Sequence, residues 1–193
     1  MTSTAAVSTP ETPLVRPNWF KQITVGTALL GTSLLLLGAA SYLAGARINT
    51  TRSIPVGLYW ASNAPIVKNA YAMFCPTQNA IFAEAKTRGY ITTGLCPGGY
   101  GYLMKKILAA KNDTVLITPA GVRVNGVLLP LSVPVAIDPS GRPLPHHDAK
   151  AYTLSTNQVL MMSDVNGKSF DGRYFGPIDI AQIQTVIIPV FTW

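Results

Sequence analysis

Charge is scarce in this chain. Only 12% of its 193 residues are Asp, Glu, Lys or Arg, about half the share usual in a soluble globular domain. Histidine and cysteine are scarcer still, with two of each. The histidines, His146 and His147, are adjacent in a Pro-rich stretch and no Gly-x-Ser-x-Gly elbow is present. Both facts argue against a Ser-His-Asp triad and leave the histidines a loop role. No Cys-x-x-Cys pair or His/Cys cluster exists to hold zinc, so no metal and no cofactor is expected. The net charge of +7 comes without a basic run or any nucleic-acid-binding signature. No nucleic acid partner is expected, and an anionic lipid surface suits that charge better. There is no internal repeat.

What the chain does have is one long apolar run. Ile23 to Ala46 carries no charged residue. About 20 residues of helix cross a bilayer core of roughly 30 Å, so residues 23–46 are expected to form a transmembrane helix. A cleavable signal peptide is the rival reading, since Ala44-Gly45-Ala46 resembles a cleavage site, but its apolar core would span only about 7–15 residues. Arg16 and Lys21 on one side and Arg47 and Arg52 on the other do not orient the span by charge. Residues 1–22, rich in Thr, Ser and Pro, read as a disordered tail, cytoplasmic if the rest is exported. Residues 47–193 read as one domain, long enough to bury a core. Cys75 and Cys96 permit one pairing. A disulfide follows if the domain is exported, two buried thiols if it is not.

Beyond the apolar run the pattern is β-rich. Strands are expected at Gly57–Ser62, Tyr102–Leu108, Thr114–Thr118, Gln158–Ser163 and Gln184–Thr192. Asn125-Gly126 between Val122–Val124 and Val127–Leu129 is a strong hairpin signal. Ala80–Thr87 reads as a helix inside a Gly-rich insertion bracketed by the cysteines, and residues 134–148 as a surface loop. The fold class expected is mainly β with a short helical insertion, preceded by one N-terminal transmembrane helix.

Three segments carry chemistry. In Asn49-Thr-Thr-Arg-Ser-Ile-Pro-Val-Gly-Leu-Tyr59, Pro55 drives Ile54 towards extended backbone and Gly57 permits a turn. Ser53 is then a candidate nucleophile with a fixed backbone, although Ser before x-Pro is common in ordinary turns. In Leu103-Met-Lys-Lys-Ile-Leu108, a lysine among apolar residues loses hydration, which lowers its pKa towards the range of a general base. Neighbours on a strand face opposite ways, so only one of Lys105 and Lys106 can face a site and the other reaches solvent. Snorkelling of both at a sheet edge is the plainer alternative. In Ser169-Phe-Asp-Gly-Arg-Tyr-Phe-Gly-Pro177, Asp171 and Arg173 can pair locally and shape a loop; the plainer alternative is a surface ion pair worth under about 1 kcal/mol.

Together, and in this order behind an apolar anchor, the three segments resemble the signal peptidase I superfamily of Ser-Lys peptidases, and within it the TraF-type branch of conjugative transfer. The resemblance spans the chain. It implies a signal-peptidase-like β domain with Ser53 as nucleophile, Lys105 as its base and Asp171 as a required carboxylate. Thr51 would assist the oxyanion hole, Ser169 would orient the lysine, and Arg173 would pair with Asp171. It further implies a single-pass protein of the bacterial inner membrane with a periplasmic domain. Its partners would be the lipid bilayer, a membrane-embedded pilin-like precursor that it matures, with cyclisation as one outcome, and components of the conjugation apparatus. A general signal peptidase and a non-catalytic assembly factor are the alternatives. Three positions depart from the family pattern. Gly-x-Pro-Gly-Asp after the lysine is here Ala109-Ala-Lys-Asn-Asp113, the Ser of Asp-Ser-Arg is Gly172, and the Met after the nucleophile is Ile54. The last change points away from general signal peptidases.

Overall fold

The computed structural model describes residues 18–145 and 149–193. His146, His147 and the tail up to residue 17 lie outside the described residues. The chain divides into two units at Ala44/Gly45.

The first unit holds one helix, α1 (Asn18–Leu43), of 26 residues, about 39 Å long at 1.5 Å per residue. Lys21 is its only charged residue. Its leucines are exposed, Leu35 at 78%, while Thr24, Thr27 and Thr32 each donate their hydroxyl to a carbonyl one turn back. A helix that is apolar all round and satisfies its own polar groups needs an apolar surrounding, which makes α1 a candidate membrane anchor. The helix begins at Asn18, where Ile23 was expected, and ends at Leu43 instead of Ala46. Gly45 ends it. Its φ is +116°, and a Cβ there would lie 2.9 Å from Trp60 Nε1. The chain turns at this glycine and Ala46 opens a strand.

The second unit is mainly β. Its strands are β1 (Ala46–Asn49), β2 (Gly57–Ser62), β3 (Tyr71–Phe74), β4 (Thr93–Cys96), β5 (Leu103–Ala109) and β6 (Thr114–Thr118). They continue with β7 (Gly121–Val124), β8 (Val127–Leu128), β9 (Ala149–Thr153), β10 (Gln158–Met162), β11 (Ile178–Asp179) and β12 (Ile183–Thr192). Two short helices, α2 (Ala80–Thr87) and α3 (Gly172–Phe175), interrupt them. One sheet has seven strands in the order β1-β2-β12-β3-β5-β10-β11, and the other has four in the order β8-β7-β6-β9. The β7–β8 hairpin turns at Asn125-Gly126, both at positive φ. The helix at Ala80–Thr87 is capped by Asn79, whose side chain accepts from Phe82 N.

Three clusters form the core. Leu108, Leu160 and Met162 of the large sheet meet Val115, Ile117 and Val122 of the small one. Phe74, Phe82, Ile107, Met161 and Phe175 surround the helical insertion. Ile54, Tyr59, Met73 and Ile187 form a small third cluster. On the outer edge of the large sheet, Ile48 pairs with Leu58, Trp60 with Ile188 and Leu58 with Phe191. Cross-strand partners share a face, so this face is apolar, and Ile48 (69%) and Phe191 (65%) stand exposed on it.

Cys75 and Cys96 are joined, with a sequence separation of 21, and both are buried. The bond ties the end of β3 to the end of β4 around the insertion. Closing a loop of this size contributes roughly 3 kcal/mol in the chain-entropy model. Replacing both cysteines by Ala should lower Tm by about 6–12 °C, read by calorimetry. Thiol labelling of the unreduced, unfolded chain should find neither sulfur free.

Candidate active site

The loop between β1 and β2 carries Ser53, and one buried side chain shapes it. Asn49, 3% exposed, accepts through Oδ1 from the N–H and hydroxyl of Thr51, at 3.1 and 2.9 Å. Its Nδ2 donates to the carbonyls of Thr51, Ile54 and Pro55 at 2.8–3.0 Å. The Ile54 side chain is fully buried in the third cluster, and Tyr59 donates its hydroxyl to Pro55 O at 2.6 Å. Gly57 permits the return, since a Cβ there would lie 2.1 Å from Phe191 O. Ser53 is thus fixed between anchored neighbours while its own side chain stays partly open to solvent.

Strand β5 brings the lysines. Lys105 lies opposite Ala72 of β3 and is 2% exposed. Its Nζ donates to Ser53 Oγ at 2.6 Å and to Ser169 Oγ at 2.6 Å, and the two hydroxyls are 3.2 Å apart. Burial is the largest influence on this amine and holds its pKa down to about 8. The Arg173 charge adds to that fall, and the Asp171 charge opposes it. Lys106 points the other way, as strand alternation requires, but it does not run free into solvent. Its Nζ donates to Asp164 Oδ2 at 2.6 Å and sits 5.6 Å from the Tyr71 ring centre. Chiefly through that bond to Asp164, its pKa is raised.

Ser169 belongs to the loop between β10 and α3, and a buried ion pair organises that loop. Asp171 and Arg173 are both fully buried. The Asp171 carboxylate accepts from Ser163 N, Arg173 N, Arg173 Nε and Arg173 Nη2. The remaining guanidinium donors reach the carbonyls of Leu131, Asn166, Gly167 and Ser169 at 2.6–3.2 Å. Sequence alone left open a local pair that shapes a loop and a surface pair of small worth, and the structure shows the first. Here two opposite charges are desolvated together, and their many hydrogen bonds offset that penalty. Gly172 fits between them because a Cβ there would lie 2.7 Å from Leu160 Cδ1. On the other side of Ser169, the Phe170 ring packs among Phe82, Tyr90, Tyr174 and Phe175. The turn after Lys105 closes without the family's glycines. Asn112 takes the left-handed conformation there, and Asp113 Oδ2 accepts from Ala110 N.

The structure therefore gathers Ser53, Lys105 and Ser169 within hydrogen-bond reach. Asp171 and Arg173 support Ser169 from behind, and Thr51 is held by Asn49. Asn49 and Asp164 are residues the sequence reading did not single out. Asn49 could have been found as the first position of the serine segment, whereas nothing in the sequence pointed to Asp164. Among the described residues no group of His, Cys, Asp or Glu could hold a metal.

Two outcomes follow from the electrostatics. A lysine whose pKa falls on folding binds its proton less tightly in the folded chain. Below pH 8 the full cost stands, about 3 kcal/mol for the shift from 10.5 to about 8. Between about pH 8 and 10.5 the folded chain sheds its proton first, so stability rises with pH until the cost is gone. Lys105→Met should abolish that rise, as read by urea midpoints at pH 7 and 10. Asp171→Ala leaves the buried Arg173 charge without its partner and should cost about 3–5 kcal/mol in the same assay.

Comparison with known proteins places the chain in a family. The profile of the family described as "Signal peptidase, peptidase S26" matches residues 22–192. A plasmid transfer protein TraF of Escherichia coli is 62% identical over 174 residues, covering 90% of this chain and 98% of that one. A conjugal transfer protein TraF of Agrobacterium tumefaciens is 33% identical over 168 residues, covering 81% of this chain and 88% of that one. A crystal structure of a signal peptidase I from Enterococcus faecalis aligns with a TM-score of 0.37 at 15% identity, over 66% of this chain and 100% of that one. By the family profile and the identity to the TraF proteins, this chain belongs to the signal peptidase S26 family, in its TraF-like group.

Proposed function

We propose that the chain is a membrane-anchored serine endopeptidase in which Ser53 is the nucleophile and neutral Lys105 its general base. The observation that carries this reading is the 2.6 Å contact between the buried Lys105 amine and the Ser53 hydroxyl. An amine with a pKa of about 8 is neutral often enough near pH 7–8 to accept a proton. Lys105 Nζ takes the Ser53 proton as Oγ attacks the scissile carbonyl. The oxyanion faces the Ser53 N–H and the Thr51 hydroxyl, and the latter must turn from Asn49 to donate. Lys105 then protonates the leaving amine, and water attacks the acyl-enzyme with Lys105 again as base. Ser169 orients the amine, while Asp171 and Arg173 act through Ser169 and do not touch the substrate.

The names of the relatives suggest the setting, which is conjugative transfer. The substrate in this reading is an exported, membrane-embedded precursor of pilin type. Capture of the acyl-enzyme by the precursor's own N-terminus, in place of water, would yield a ring. The chain lies in the bacterial inner membrane with α1 across it, and the peptidase unit is periplasmic. The disulfide supports an oxidising compartment. The apolar face around Ile48, Trp60 and Phe191 suits contact with lipid.

Ser53→Ala and Lys105→Ala should each reduce cleavage by about 10³-fold or more while the protein stays folded. Lys106→Ala loosens Asp164 by removing an ion pair whose side chains are 21% and 22% exposed, but it acts on the face of β5 away from Ser53, so cleavage should fall no more than about fivefold. Activity should rise with pH through about 8. Co-expression with a candidate pilin precursor, read by intact mass, supplies the assay. A product one water lighter than the trimmed linear form means cyclisation. If neither lysine matters, or activity peaks in acid, the Ser-Lys reading is wrong.

A further inference from the structure

The chain enters the serine loop at Asn49, the last residue of β1, and leaves it at Gly57, the first of β2, which pairs with Asn49. The two arms of that loop are held in different ways. After Ser53, Ile54 is fully buried and Tyr59 donates to Pro55 O at 2.6 Å, so packing and a second side chain fix the backbone. Before Ser53, Thr50, Thr51 and Arg52 are all exposed. Backbone without packing moves unless polar bonds tie it. Here the tie is the Asn49 carboxamide. Its Oδ1 accepts from Thr51 N and Thr51 Oγ1, and its Nδ2 donates to Thr51 O. The N–H, the carbonyl and the hydroxyl of Thr51 thus all end on one buried side chain.

That side chain is itself a fixed point. Asn49 is buried, and its Nδ2 also donates to Ile54 O and Pro55 O at 3.0 Å. The carboxamide therefore cannot turn without breaking bonds on both sides of Ser53. The oxygen of Thr51 is held in this way, but its proton is not. A hydroxyl hydrogen turns about the Cβ–Oγ bond while the oxygen stays in place. When it turns away, Oδ1 keeps the Thr51 N–H, and the threonine does not shift. A donor to developing negative charge is most effective when it stands in place before the charge appears.

We infer that Asn49 is a positioning residue of the cleavage reaction and acts through Thr51. Its carboxamide holds the Thr51 hydroxyl at rest and lets the proton turn to the oxyanion as Ser53 attacks. The inference rests on the peptidase reading above. Asn49 is too deeply buried to touch the substrate, so its whole effect passes through the exposed arm it ties.

The test uses the full chain in detergent and the peptide it cuts fastest from a random library, with Ser53→Ala as the blank. Thr51→Val should lower kcat about 100-fold and leave KM within about threefold. Thr51→Ser keeps a hydroxyl for Asn49 to hold and should recover at least about 30-fold of that loss, although serine lacks the branched Cβ that stiffens threonine. Asn49→Ala should lower kcat about 30-fold, again with KM little changed. In the Thr51→Val background the same replacement should lower kcat less than about threefold, whereas independent effects would multiply. A purely structural Asn49 would lower Tm and show its full effect on kcat in both backgrounds. That result overturns the inference, as does Thr51→Val at wild-type kcat or Thr51→Ser as slow as Thr51→Val. The two Thr51 variants decide the matter if Asn49→Ala does not fold. A wild type indistinguishable from Ser53→Ala takes down the peptidase reading, which the other outcomes leave standing.

Discussion

The burial of one amine sets the terms for the second unit. Lys105 Nζ donates to two hydroxyls, and the nearby carboxylate of Asp171 is already engaged by Arg173. An ammonium in that position is poorly compensated, because hydroxyls offer dipoles and not a counter-charge. The fold places Lys105 on an interior strand of a seven-stranded sheet, flanked by β3 and β10. It thereby accepts a cost in stability at neutral pH in exchange for an amine that gives up its proton near pH 8.

Everything around the amine limits its freedom and that of its partners. Asn49 ties the serine loop through five hydrogen bonds. Arg173 ties four carbonyls of two segments. Lys106 reaches Asp164 at the start of the same loop whose far end Lys105 reaches through Ser169. Adjacent lysines on opposite faces of β5 thus grip one loop at two points. Such redundancy holds Ser53, Lys105 and Ser169 in one arrangement.

Much of this was legible in the residues. The Asn125-Gly126 hairpin, the helix at Ala80–Thr87 and the strands at Gly57–Ser62 and Thr114–Thr118 have local signals that agree with the fold. Strand β1 was hidden, because Ala46 follows an apolar run without a break in hydrophobicity and only Gly45 marks the change. Strand β3, Tyr71–Phe74, was hidden for another reason. Three of its four residues are buried, so it lacks the alternation that betrays a half-exposed strand. The serine and lysine were singled out by resemblance, each segment being ambiguous alone. The depth of the Asp171–Arg173 pair was not legible, because two residues of spacing say nothing about what covers them. Nor was the bond from Lys106 to Asp164, whose partners lie 58 positions apart.

Separation along the chain has one more consequence. The contacts among Ser53, Lys105 and Ser169 span 52, 64 and 116 positions. Ser169 hangs on a guanidinium that must itself be buried and fully bonded before the loop holds its shape. Contacts of such range form late, and no partial fold assembles the three groups. In the peptidase reading proposed above, a nascent or half-folded chain therefore carries no competent hydroxyl, and the ability to cut arrives only with the final closure of the sheet.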